Sequence, residues 1–293
     1  LAFAAALMVL LAACGSGAPG TPTAIDGPLL VGAAADLQPA FIEVGAEFTA
    51  HSGIDVTFSF GSSGHLAQQV IEGAPIDVFA SANADFVSQV LHAGVGDAQS
   101  RQTYAFGRIV IWALAERWNN WTSLPALSDD QDVKVIAIAN PEHAPYGIAA
   151  RDALLAAGVW DEVQDRLIFG ENIADTQRLA ATGNADAAIV ALSLALASDE
   201  RNNGQGNTRW TIIDDDLHRP LEQQILVVTS EPRRREDAQA FVDFVLSDAG
   251  QAAMQRFGFE RPPAPSGDIA GPPDAAGTTL TARDTHHASF RRH

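Results

Sequence analysis

The chain has 293 residues, 47% of them hydrophobic, enough for one large or two medium domains around a sizeable core. Lys and Arg number 18 against 36 Asp and Glu, and the formal charge of -18 argues against nucleic acid as a partner of the body. A single cysteine rules out an internal disulfide.

Residues 1–13 form an uncharged apolar run, Leu-Ala-Phe-Ala-Ala-Ala-Leu-Met-Val-Leu-Leu-Ala-Ala, which is too short to cross a bilayer and fits the core of a signal peptide. Cys14 follows at once, and Leu11-Ala12-Ala13-Cys14 resembles a bacterial lipobox. The expectation is cleavage before Cys14, lipidation of its thiol, and export to the outer face of the cell membrane or the periplasm. An ordinary cleaved signal with an incidental cysteine is the plainer alternative. Residues 14–28, rich in Gly, Ser, Ala, Pro and Thr, read as a flexible tether.

From Leu29 onward short apolar strands alternate with helical patterns. Leu29–Ala34 reads as a buried strand, and Phe41, Val44 and Phe48 share one face of the helix that ends at Gly53. Ile54–Phe60 is the next strand, His65–Glu72 the next helix, and Asp77–Ala80 a third strand before a helix marked by Phe86, Val90 and Leu91. Further strands are expected at Ile109–Leu114, Val135–Ala139, Ala187–Val190 and Ile225–Val228. Ala238, Phe241, Val242 and Val245 give the last helix its i, i+3, i+4, i+7 stripe. Arg233-Arg234-Arg235 reads as a solvated helix start, and residues 263–293 as a disordered tail. This alternation predicts an α/β protein with parallel sheets covered on both faces, in which ligands sit beyond the carboxyl ends of strands.

Two loops lie in that position. Phe60-Gly61-Ser62-Ser63-Gly64 carries a strand into a helix through small residues, so backbone N–H groups and hydroxyls are free to hold an anion without a basic side chain. Ala35-Asp36 follows the first strand. Each residue also has a structural reading: Ser62 and Ser63 as helix caps, Tyr146 as a packing residue, His143 as structural or exposed, and Asp77 as a turn or cap residue.

Taken in order, Ala33-Ala34-Ala35-Asp36-Leu37, Phe60-Gly61-Ser62-Ser63-Gly64, the run Gly73 to Ala82, Asn140-Pro141-Glu142-His143-Ala144-Pro145-Tyr146-Gly147, Gly170-Glu171-Asn172-Ile173 and Ala181-Thr182-Gly183-Asn184-Ala185-Asp186 resemble the molybdate-binding proteins of bacterial ABC importers. The likeness runs from about residue 29 to about residue 259. It implies a two-lobed periplasmic-binding-protein fold of type II, each lobe a mainly parallel sheet flanked by helices. Residues 27–106 with 223–262 would form one lobe and residues 107–222 the other, with hinges near Phe106 and Gln223. It also implies an anion site from four segments: Asp36 with its backbone, Ser63 with Ser62, the phenol of Tyr146, and the N–H at Ile173.

The implied ligand is molybdate or tungstate as an oxyanion, with no bare metal cation and no cofactor. The implied partners are a membrane permease and, through Cys14, the membrane itself, with the protein a monomer. Family members usually carry Ser, Thr or Asn at the position of Asp36, and a carboxylate would repel a dianion. One resolution is that Asp36 caps the following helix by accepting the Gln38 N–H, its side chain turned away; the other is that it accepts a proton from an ion such as hydrogen phosphate. Alternatives are a binding protein for phosphate, sulfate or another small oxyanion, an exported α/β hydrolase, and a surface interaction module. The chain has no Gly-x-Ser-x-Gly elbow and no His-Glu-x-x-His motif, so it is not expected to be an enzyme.

Overall fold

The computed structural model of the protein describes residues 27–201 and 206–263. The expected signal peptide, Cys14, all but the last two residues of the tether, and the tail from residue 264 lie outside the described residues.

Strand β1 (Leu29–Ala34) passes through the 3-10 turn Ala35–Leu37 into α1 (Gln38–Ser52). Next come β2 (Val56–Gly61), α2 (Ser63–Ile71), β3 (Val78–Ser81), α3 (Ala84–His92) and β4 (Gln102–Gly107), which runs across one residue into β5 (Ile109–Leu114). Then follow α4 (Leu124–Asp129), β6 (Ile136–Ala139), α5 (Pro145–Ala156), α6 (Trp160–Val163), β7 (Leu167–Gly170), α7 (Ile173–Ala181), β8 (Ala187–Ala191), α8 (Leu192–Arg201) and β9 (Thr208–Ile212). The chain returns through β10 (Leu221–Val227) to α9 (Pro232–Leu246) and α10 (Asp248–Arg256).

These elements build an α/β protein of two lobes, each around a five-stranded sheet. The first sheet has the order β2-β1-β3-β10-β4 and the second β7-β6-β8-β5-β9. The sheets are mixed rather than mainly parallel, which corrects the expectation. β1 pairs in parallel with β2 and β3, but β10 is antiparallel to both β3 and β4. Likewise β6 is parallel to β7 and β8, while β5 is antiparallel to β8 and β9. The reason lies in the connections. The reversed strand in each sheet arrives from the other sheet, β5 straight from β4 and β10 from β9, so no βαβ crossover fixes its direction.

Burial follows the expected stripes. Phe41, Val44 and Phe48 on α1 and Phe241, Val242 and Val245 on α9 are buried. Phe241 meets Phe48 edge-on at 5.3 Å between ring centres and Phe41 at 5.9 Å, which locks the two helices together. Three strands escape a hydrophobicity reading, β4, β7 and β9, because polar residues interrupt them or their length is only four or five residues.

One charged segment also differs from expectation. Arg234 is no solvated helix start: it forks onto the carboxylate of Asp77, which is 4% exposed and also accepts the Leu30 N–H at 2.8 Å. Asp130 accepts Trp121 Nε1–H at 2.8 Å and Asn119 Nδ2–H at 3.0 Å. Those donors hold its carboxyl below the usual range, with Asn119 first among them.

Candidate anion-binding site

Four strand ends of the two lobes supply the site. β1 delivers the 3-10 turn with Asp36, β2 the start of α2, β6 the loop into α5, and β7 the start of α7. The 3-10 turn packs against α7 and α8 of the other lobe. Asp36, Ser62, Ser63, Tyr146 and Ile173 are all buried there.

Ser62 is the N-cap of α2, and its Oγ accepts the His65 N–H at 3.5 Å. The same hydroxyl lies 2.9 Å from His143 Nδ1, across the gap between lobes. Ser62 thus serves as cap and cross-lobe tie. Ser63 Oγ accepts the Ala82 N–H at 3.0 Å, which leaves its own proton to be donated. The Gly64 N–H reaches His143 O at 2.9 Å, and a Cβ on Gly64 would sit 2.7 Å from that oxygen, so only glycine admits this approach.

Asn172 caps α7, its Oδ1 accepting the N–H groups of Ala174 and Asp175, each at 3.0 Å. The N–H of Ile173, first in α7, and that of Ser63, first in α2, take no protein acceptor among the described residues. Free N–H groups at two helix starts, with the helix dipoles behind them, favour negative charge.

The phenol of Tyr146, on the first turn of α5, reaches the strand crossing. A Cβ on Gly107 would lie 2.2 Å from the Tyr146 oxygen, so the missing side chain there makes room for the phenol. Gln223 on β10 organises this end of the site. Its Oε1 accepts the Tyr104 hydroxyl at 2.9 Å, and its Nε2 donates to Asp36 Oδ2 at 2.6 Å and to the Tyr146 oxygen at 3.2 Å. Both amide protons are therefore committed, and the Tyr146 proton is left for the Asp36 carboxyl beside it or for an anion in the cleft.

Asp36 does not cap α1. It sits inside the 3-10 turn, and the Gln38 N–H already donates to Ala35 O, so no cap bond is open to it. Its carboxyl instead points inward, 0% exposed, with Oδ1 lacking any partner among the described residues. Burial pushes its pKa up to about 6, opposed by hydrogen bonds from Gln223 and then Tyr146. Its backbone oxygen accepts the Ser193 hydroxyl from α8 at 2.8 Å. Burial, then the Asp36 charge, pushes both Tyr104 and Tyr146 well above the ordinary phenol range, so both phenols are neutral donors.

At the mouth His65 and His143 stack with ring centres 3.9 Å apart, and Glu171 lies 4.0 Å from His65. Burial and the neighbouring His65 lower the pKa of His143, which fits a neutral ring accepting from Ser62. Among the described residues no cluster of His, Cys, Asp and Glu could hold a metal ion.

The structure thus brings Asp36, Tyr146, Ser63 and Ile173 to the same inter-lobe region and gives Ser62 a bridging role. Sequence reasoning missed Gln223 as a site residue, Tyr104, Ser193 and the bridging His143. The available signal was Gln223-Gln224, two adjacent amides running into the apolar Ile225-Leu226-Val227 of a strand, since a buried amide there needs partners.

The pattern of the bacterial extracellular solute-binding proteins matches residues 29–260. The molybdate-binding protein ModA of Rhodobacter capsulatus is 31% identical over 244 residues, 80% of this chain and 89% of that protein. A substrate-binding lipoprotein of a putative ABC transporter in Bacillus subtilis, YvgL, is 27% identical over 88% of this chain and 96% of its own length. Among solved structures, the Azotobacter vinelandii periplasmic molybdate-binding protein superposes with a TM-score of 0.73 at 25% identity, covering 80% of this chain and all of that one.

Proposed function

The chain belongs to the bacterial extracellular solute-binding proteins, and from that membership we propose that it captures molybdate between its two lobes outside the cytoplasm and delivers it to the permease of an ABC importer. The ligand is held by the Ser63 hydroxyl and N–H, the Ile173 N–H and the Tyr146 hydroxyl, with Ser62 closing the lobes over it through His143. It leaves chemically unchanged. Residues 27–106 with 223–262 act as one lobe and 107–222 as the other.

The observation that carries this reading is a buried set of donors without a cationic side chain. Molybdate is a dianion without protons at neutral pH, so each contact must be a donor. A charge-assisted hydrogen bond contributes about 1.5–3 kcal/mol, and neutral donors avoid burying a counter-charge with its own desolvation penalty. Sulfate, a smaller ion, fits the same donors less closely.

Cys14 carries the lipid that anchors the protein to the outer face of the membrane. Its support is the Leu11-Ala12-Ala13-Cys14 run together with the lipoprotein name of the Bacillus subtilis relative.

Thermal denaturation with added oxyanions tests the proposal. Molybdate and tungstate are expected to raise the melting temperature, with sulfate and phosphate inert. Stabilisation by phosphate or sulfate alone would overturn the molybdate assignment.

A further inference from the structure

We infer that Asp36 is protonated when the cleft holds its anion, so that the carboxyl enters the complex as an O–H donor and capture of one molybdate takes up one proton. The inference rests on the molybdate reading and concerns how a carboxyl can belong to such a site.

Geometry carries the first step. The Asp36 carboxyl is wholly buried, Gln223 Nε2 occupies Oδ2, and Oδ1 is without a partner among the described residues. The groups facing it are uncharged: Gln223 from β10, Tyr146 from α5, and Tyr104 from β4 through Gln223. Most charged residues on the surrounding helices are engaged elsewhere. Asp175 and Arg178 of α7 pair with each other, Asp199 of α8 accepts from Thr208 and Trp210, Asp152 of α5 meets Arg219, and Glu43 and Glu47 of α1 meet Arg256. No ion pair to Asp36 exists among the described residues, so only the hydrogen bonds of Gln223 and Tyr146 set themselves against the effect of burial.

Protonation state decides the second step. The Gln223 amide is fixed by its acceptance from Tyr104, and both of its protons are spent on Asp36 Oδ2 and the Tyr146 oxygen. Both phenols stay neutral across the physiological range. The carboxyl is therefore the group of this cluster that can change charge near neutrality, and the free Oδ1 is the atom open to a proton. With its pKa raised to about 6, placing that proton at pH 7 in the empty protein costs only about tenfold in affinity. An incoming dianion raises the pKa further, because like charges oppose one another. The proton comes from solvent and rests on Oδ1, and no covalent bond to the ligand forms or breaks.

Burial, then the neighbouring His65, holds the pKa of His143 down, so that ring stays neutral while Asp36 takes its proton.

Titration calorimetry of the full chain with sodium molybdate, from about pH 6 to about pH 8.5 in two buffers of different ionisation heat, tests the inference. About one proton should be taken up per molybdate at the alkaline end, and affinity should fall about tenfold per pH unit above about pH 7. Asp36→Asn, which presents an amide donor in place of Oδ1, should take up none and bind with a flat profile. Molybdate binding by the natural chain without proton uptake overturns the inference and leaves the transport role standing. Equal uptake by Asp36→Asn and the natural chain overturns it, because the proton then goes to another group. Failure of both proteins to bind molybdate across the range overturns the inference and the molybdate reading together.

Discussion

Replacing Asp36 with Asn should stabilise the anion-free protein at neutral pH. The carboxyl has a pKa of about 6 in the folded protein, raised by burial from 3.8. A raised carboxyl pKa means the folded state holds its proton more tightly than the unfolded state. The natural chain therefore loses stability as the pH rises from about 4 to about 6, and the loss persists above that range. At 1.36 kcal/mol per unit, the gap amounts to about 3 kcal/mol at pH 7.5 and about 1 kcal/mol at pH 4.5. Asparagine keeps an acceptor for Gln223 Nε2, carries no charge, and follows the same profile in every other respect, so the difference between the two proteins isolates this one group. Urea unfolding of both at several pH values measures it. The variant should be more stable by about 3 kcal/mol at pH 7.5, with the advantage shrinking by about 2 kcal/mol on going to pH 4.5. An advantage that does not change with pH would refute the reasoning, because it would mean the carboxyl reaches water in the anion-free protein.

Ser63→Ala removes a hydroxyl whose proton is free to donate, so molybdate affinity by calorimetry should fall by about 1–3 kcal/mol, with folding intact. An unchanged dissociation constant would take Ser63 out of the site. Tyr104→Phe leaves Gln223 Oε1 buried without a donor, and chemical denaturation should register a loss of about 1–3 kcal/mol. A variant as stable as the natural chain would show that the amide finds another donor. Arg234→Met leaves the buried Asp77 carboxylate without its counter-charge at the foot of the first sheet, far from the cleft in the topology. The expectation is a loss of about 3 kcal/mol in unfolding free energy. Molybdate affinity should not change, and a large affinity loss would couple that ion pair to the site.

How much of this was legible in the sequence depended on what each residue type must do locally. The helix stripes through Phe41, Val44, Phe48 and Phe241 were readable because their periodicity is set by one buried face. Ser63, Tyr146 and Ile173 were singled out through the family resemblance; what local sequence shows is only that each stands at the opening of a helix after a strand, marked by Gly, Ser, Pro or Asn. Of the two resolutions for Asp36 the cap fails, although an acidic residue just before a helix looks like one. Only the backbone reveals that a 3-10 turn has already used the Gln38 N–H. Gln223 was invisible for a different reason: its role comes from partners 77, 119 and 187 residues away in the chain, and no local pattern encodes them. Strand direction was likewise out of reach, since β5 and β10 owe theirs to the sheet they come from.

That origin explains why the charge-bearing end of the site lies on the crossing strands. β4 and β10 pair Gln223 with Ala105 and then Gln224 with Thr103, so Tyr104 is the extra residue of a bulge. A bulge bends its strand and re-aims a side chain, and here the Tyr104 phenol reaches the Gln223 amide in the next strand. Gln224, one residue on, turns the other way to Arg101 and Thr103. The same β4 ends at Gly107, whose bare α-carbon admits the Tyr146 phenol from α5 of the second lobe. Tyr146 can therefore meet Gln223 and Asp36 only where the two lobes come together, which makes the charge state of the carboxyl a property of the joined lobes rather than of either alone. A donor lost from this network would alter the acidity of Asp36 and the fit of the second lobe by the same act.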